Sequence, residues 1–171
     1  KTTYIYFGGI IMNKIKNFIK KYKTQLIWVG VTLAAGGLGA LLAGNYDIYK
    51  TVEKPPLSPP AWVFPVVWTL LYIIIGWAAG NIAASRDLDK GIAIKLYLVQ
   101  LFINILWPVI FFRFEAAKFA LFWLAALIIA VILTFLSFHR IDRKSAWLLV
   151  PYLLWCGFAF YLNLGIVALN S

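Results

Sequence analysis

The sequence predicts an all-α integral membrane protein, a bundle of five transmembrane helices. Three observations carry this. Of 171 residues, 63% are hydrophobic and only 13% are charged, an apolar fraction that a soluble domain of this size could not keep out of water. The apolar residues fall into five runs, approximately 24–45, 62–85, 92–113, 117–138 and 146–168, each near the ~20 residues that cross ~30 Å of hydrocarbon. The basic residues gather at the ends of these runs rather than on one polar face. That placement argues against nucleic acid as a partner despite a formal net charge of +10.

Residues 1–23 form a basic N-terminal segment, of which 1–11 read as an extension before the only methionine, Met12. "MNKIKNFIKKYK" admits two readings, a charged anchor for the first span or an amphipathic helix lying on anionic lipid. The membrane domain is 24–170, and its runs are bounded by charge or turn chemistry: Asn45 and Asp47, "SRDLDKG", "RFEAAK" and "HRIDRKS". The short links require antiparallel neighbours in one bundle. Lys and Arg divide twelve to four between the two sides, with Lys50, Lys54, Arg113 and Lys118 forming the minority. This predicts a cytoplasmic N-terminus and an external C-terminus.

The one long link, about 46–61, holds Pro55, Pro56, Pro59 and Pro60. Each proline fixes its own φ and pushes the preceding residue toward extended backbone, so the link should be a stiff strap capping the bundle at its outer face. It reads either as a rigid connector or as the roof of a binding site. Inside the membrane, Trp68 and Tyr72 share one face of the second span. Asn104, Trp107 and Phe111 share one face of the third, and Trp155, Ala159 and Asn163 one face of the fifth. Aromatic stripes serve packing as well as ligands. A carboxamide in hydrocarbon requires a partner helix, water or ligand. Small residues at Gly36, Ala40 and Gly44, and at Gly76, Gly80 and Ala84, offer faces for close helix approach. One Cys, Cys156, and one His, His139, leave no disulfide within the chain and no metal site. No nucleophile, paired carboxylate or cofactor fingerprint lies in the membrane, which favours binding over turnover with no cofactor required.

The segments "EKPPLSPPAWVFPVVWTLLY", "LFINILWPVIFF" and "PYLLWCGFAFYLNL" resemble the TspO/MBR family of tryptophan-rich sensory proteins and translocator proteins, in order, spacing and span count over residues 24–170. The resemblance implies a five-helix bundle, commonly a homodimer, in the cell membrane of a bacterium or archaeon. It also implies a cavity beneath the first long loop for porphyrins such as protoporphyrin IX and heme. Carried over by motif, the ligand-binding residues are Tyr49, Pro59 and Pro60 from the loop, and Trp62, Phe64, Trp68 and Tyr72 from the second span. Asn104 and Trp107 follow from the third, and Trp155, Phe158, Ala159 and Leu162 from the fifth. The resemblance places the first span near the partner, which makes Gly36–Ala40–Gly44 the expected dimer face. An alternative activity, light-dependent porphyrin degradation, would use Trp68 and Trp155. The sequence departs from the family pattern at Ile48 and Leu57, where Trp is common, and at Trp123, where many relatives carry Asp. No Lys or Arg follows Tyr161, so the aromatic-basic pattern proposed for sterols is absent and sterol binding is not expected.

Overall fold

Among the described residues every regular element of this computed structural model is helical. It describes residues 2–44 and 48–170, apart from the side chains of 2–11 and 48. The turn signal at Asn45 and Asp47 lies outside that set. Helix α1 (Thr2–Lys21) is followed by α2 (Lys23–Ala43), a short α3 (Ile48–Thr51) in the strap, α4 (Val63–Ala84) and α5 (Lys90–Pro108). A π-helical turn (Val109–Arg113) continues α5, and α6 (Ala117–Ile141), α7 (Arg143–Trp147) and α8 (Val150–Leu169) complete the chain.

Five helical stretches are long and apolar enough to cross a membrane: Lys23–Ala43, Val63–Ala84, Lys90–Arg113, Ala117–Ile141 and Arg143–Leu169. The chain is a multi-pass integral membrane protein. The fourth span runs three residues past its expected end, because the boundary is set by Asp142 rather than by the first charge. Asp142 stands in extended backbone and accepts from the amides of Lys144 and Ser145, capping α7. The Ser145 hydroxyl also bonds this carboxylate and, with burial opposing, holds its pKa below the ordinary range.

In the bundle α2 lies against α4 and α5, α5 against α6, and α6 against α8. The α2–α4 contact depends on missing side chains. A Cβ at Gly36 would fall 2.0 Å from the Tyr72 ring, and one at Gly80 would fall 2.4 Å from the Gln25 Cα. Small residues on both helices thus let the backbones approach within one chain. Of the expected dimer face, Gly36 is an internal packing position filled by Tyr72, while Ala40 and Gly44 are exposed. The core beneath is apolar, with Ile75, Ala78, Ala79, Leu124, Leu127 and Val131 fully buried.

Helix α4 meets the last span chiefly through α7. The strap closes the opposite end of the groove between α4 and α8. Its hold on α8 is specific. Glu53 N–H donates to Asn170 Oδ1 and Asn170 Nδ2 returns a bond to the Glu53 carbonyl, both at 3.0 Å. Tyr161 Oη donates to the Pro56 carbonyl at 2.9 Å. Between these clasps the buried Pro55 ring seats on Gly165, where a Cβ would stand 2.5 Å from its Cβ and Cγ. The strap is shorter as an extended segment than the prolines alone suggest, since α3 occupies its first part.

Candidate functional site

Under the strap lies a cavity lined by Tyr49, Phe64, Trp107, Phe111, Phe112, Ala159, Leu162, Asn163 and Ile166. Tyr49 comes from α3, where the strap folds back on itself: its hydroxyl donates to the Pro59 carbonyl at 3.0 Å, and the Lys54 ammonium sits 4.9 Å above its ring. Burial raises its pKa, with a hydrogen bond to Ser58 opposing. Phe64 enters from the first turn of α4 and meets Tyr49 edge-on at 5.4 Å and Trp155 at 6.1 Å. Trp155 continues to Phe158 at 5.4 Å, and Phe158 stacks on Tyr161 at 6.2 Å. A file of aromatic rings therefore runs from the strap through Phe64 to Trp155 and back along α8 to Tyr161, which bonds the strap again.

The opposite wall belongs to α5 and its π turn. Pro108 has no N–H to offer the Asn104 carbonyl, and the ladder directly after it shifts, with Phe114 N–H reaching the Val109 carbonyl at 3.1 Å. A π turn carries about one extra residue per turn. It swings Phe112 to the same side as Trp107 and Phe111, which stack at 5.4 Å.

Below the cavity, Trp68, Tyr72 and Asn104 form part of a second, polar layer. Tyr72 Oη donates to Asn104 Oδ1 at 2.6 Å, Asn104 Nδ2 to Tyr152 Oη at 3.1 Å, and Tyr152 Oη to Gln100 Oε1 at 2.7 Å. Trp68 lies against Tyr72 at 5.5 Å and Tyr152 at 6.1 Å. The network satisfies most of the buried amide and hydroxyl groups that the apolar interior would otherwise penalise.

The structure therefore sorts the residues expected from the sequence. Tyr49, Phe64, Trp107, Ala159 and Leu162 line the cavity. Trp155 and Phe158 join it through ring contacts. Trp68, Tyr72 and Asn104 lie in the polar layer. Pro59 supplies a carbonyl to Tyr49, while Pro60 accepts from Val63 N–H at the start of α4. Trp62 is 66% exposed at that helix entry. Phe111, Phe112, Asn163 and Ile166 complete the lining without having been named as site residues. Phe111 and Asn163 were visible in the stripes, whereas Phe112 depends on the π turn.

Three buried polar atoms around this region have no hydrogen-bond partner among the described residues: Trp107 Nε1, Trp155 Nε1 and Asn163 Oδ1. The Asn163 amide is oriented, because its Nδ2 donates to the Ala117 carbonyl at 2.9 Å and a carbonyl can only accept. Trp123, at the departure in α6, donates its indole N–H to the Ile103 carbonyl at 2.8 Å and ties α6 to α5. The cavity volume is ≈ 20 Å³, room for about one water.

Sequence comparison agrees with this architecture. The chain is 35% identical to the tryptophan-rich protein TspO of Chlorobaculum tepidum over 88% of its length and 98% of the relative's. It is 36% identical to a tryptophan-rich sensory protein of Cereibacter sphaeroides, covering 77% of this chain and 82% of that one. Identity to the translocator protein of Bos taurus is 32%, over 79% of this chain and 85% of the relative. Since residues 28–169 match the TspO/MBR family, most of the first span and all of the other four, this chain is a member of that family.

Proposed function

We propose that the protein is a membrane receptor or carrier for porphyrin-type ligands, protoporphyrin IX and heme among them, held in the aromatic cavity beneath the strap. The observation that carries this reading is the set of unpartnered buried atoms, Trp107 Nε1, Trp155 Nε1 and Asn163 Oδ1, around a wall that is otherwise aromatic and aliphatic. A ligand with flat apolar faces and a few polar groups complements both features. The strap acts as a lid, its hold on α8 being a few hydrogen bonds and one proline contact.

Quenching of tryptophan fluorescence by protoporphyrin IX tests the proposal. Replacing Trp107 or Trp155 with Leu removes stacking and keeps an apolar side chain of smaller volume, with an expected loss of ~1–2 kcal/mol, about five- to thirtyfold in affinity. Trp147, 58% exposed on α7, serves as the control position. Equal affinity of the parent, both cavity variants and the Trp147→Leu variant would remove the cavity from the reading.

The adjacency of Trp68 to Tyr72 and Tyr152 supports a second reading, light-dependent porphyrin degradation through oxidisable aromatic residues. Trp68→Phe and Trp155→Phe separate the two, because Phe stacks but oxidises far less readily. Illuminated protein that yields no new absorbing products is a receptor. Products that vanish in the Phe variants while binding persists identify an enzyme.

A further inference from the structure

The cavity reading makes no use of helix α1, which lies outside the matched residues 28–169. From Met12 onward its side chains segregate. At ~100° per residue, Met12, Ile15, Phe18 and Ile19 fall on one stripe, and they are 58%, 52%, 50% and 50% exposed. Lys14 and Lys21 flank that stripe on one side, Lys16 and Lys20 on the other, and Asn13 and Asn17 occupy the far face, with Lys23 following at the start of α2. The sequence holds no Asp or Glu before Asp47.

The arm joins the bundle at a defined point. Tyr22, between α1 and α2, has non-helical backbone angles, φ −110° and ψ 24°, a local irregularity at the junction, although its N–H still reaches the Phe18 carbonyl and its carbonyl accepts from Leu26 N–H, both at 3.0 Å. Its ring packs on Phe18 at 4.9 Å and on Trp77 of α4 at 5.3 Å. The apolar stripe thus ends next to the start of the membrane span.

We propose that residues 12–23 form an interfacial arm that binds the anionic lipid headgroups of the leaflet at which α2 starts. The apolar stripe enters the boundary between headgroups and acyl chains, and the flanking lysines extend their stems to reach phosphates on both sides. Charge and hydrophobicity both favour this occupant. Nucleic acid would use the lysines and leave the stripe in water, whereas a second copy would use the stripe and bring like charges together. A membrane surface takes both, and the adjacent span holds one beside the arm. This inference rests on the membrane fold alone and is independent of what the cavity binds.

The test uses full-length protein in nanodiscs of phosphatidylcholine alone or of an equal mixture with phosphatidylglycerol. Cys156 is buried and stays in place, and an environment-sensitive fluorophore is attached at Ile15→Cys or Asn17→Cys. In the anionic discs, nitroxide-labelled lipid should quench the probe at position 15 strongly and at position 17 weakly. In neutral discs the difference should shrink. Each lysine removed should lower the arm's binding constant for the anionic surface roughly fivefold, so the combined Lys14→Glu, Lys16→Glu, Lys20→Glu and Lys23→Glu variant should abolish the preference for anionic discs. Added salt should weaken it. Equal quenching of position 15 in both kinds of disc, or equal quenching of positions 15 and 17, overturns the proposal. Quenching confined to discs with two protein copies assigns the stripe to self-association instead. Displacement of the arm from anionic discs by an oligonucleotide assigns the lysines to nucleic acid.

Discussion

Gly165 offers the sharpest test of how the strap is held. An added Cβ would stand 2.5 Å from two carbons of the Pro55 ring, so the rigid ring must retreat by roughly 1 Å to reach van der Waals distance. The neighbouring clasps cannot follow without loss. The bond from Tyr161 to the Pro56 carbonyl is 2.9 Å and the pair between Glu53 and Asn170 is 3.0 Å, and ~1 Å of stretch takes either beyond hydrogen-bonding range. Each such bond contributes about 0.5–1.5 kcal/mol, and forced overpacking costs about 1–3 kcal/mol. Gly165→Ala should therefore favour strap opening by about 1–3 kcal/mol, roughly 5- to 150-fold in the open-to-closed ratio. Gly157→Ala, on the same helix with nothing within 4 Å of the added Cβ, should leave the strap unchanged and stabilise α8 by up to ~1 kcal/mol. Amide exchange at Glu53, whose N–H bonds Asn170 directly, reads the opening in detergent or nanodiscs. Identical Glu53 protection in parent, Gly165→Ala and Gly157→Ala would show that the strap is not seated on α8 as described.

Three further outcomes follow from the same geometry. Gly36→Ala should destabilise the bundle by about 1–3 kcal/mol, because its Cβ would enter the Tyr72 ring, while Gly37→Ala has open space and should be neutral or better in thermal unfolding. Tyr152→Phe should cost about 1–3 kcal/mol, since it removes the bonds to both Asn104 and Gln100 and leaves the Gln100 carbonyl stranded beside an already unpartnered Nε2; denaturation of a folded variant with unchanged stability would contradict the network. A reporter fused after Ser171 should be active only outside the cytoplasm, given the twelve-to-four division of basic residues, and robust cytoplasmic activity of an intact fusion reverses the topology.

Hydropathy and charge are properties of the chain, and they determined the five spans and their approximate limits before any packing was known. Solvation alone selects stretches that must sit in hydrocarbon. Proline chemistry likewise made the strap legible, because Pro55, Pro56, Pro59 and Pro60 restrict φ locally whatever surrounds them. Helical spacing placed Trp107, Phe111, Trp155 and Asn163 on coherent faces. It could not say which neighbour each face meets. Gly36 offered a small face suited to a second copy or to an internal helix, and only the packed bundle shows Tyr72 filling it. Trp68 and Tyr72 share a stripe that spacing left open between packing and ligand, and the packed bundle sets them in the polar layer, Tyr72 bonded to Asn104 and Trp68 edge-on to Tyr152. Phe112 was hidden for a different reason. An uninterrupted α-helix would turn it away from Trp107, and the π turn after Pro108 brings it back. Periodicity fixes which residues share a face, while the partner of that face and any change of register are decided by contacts between segments far apart in sequence.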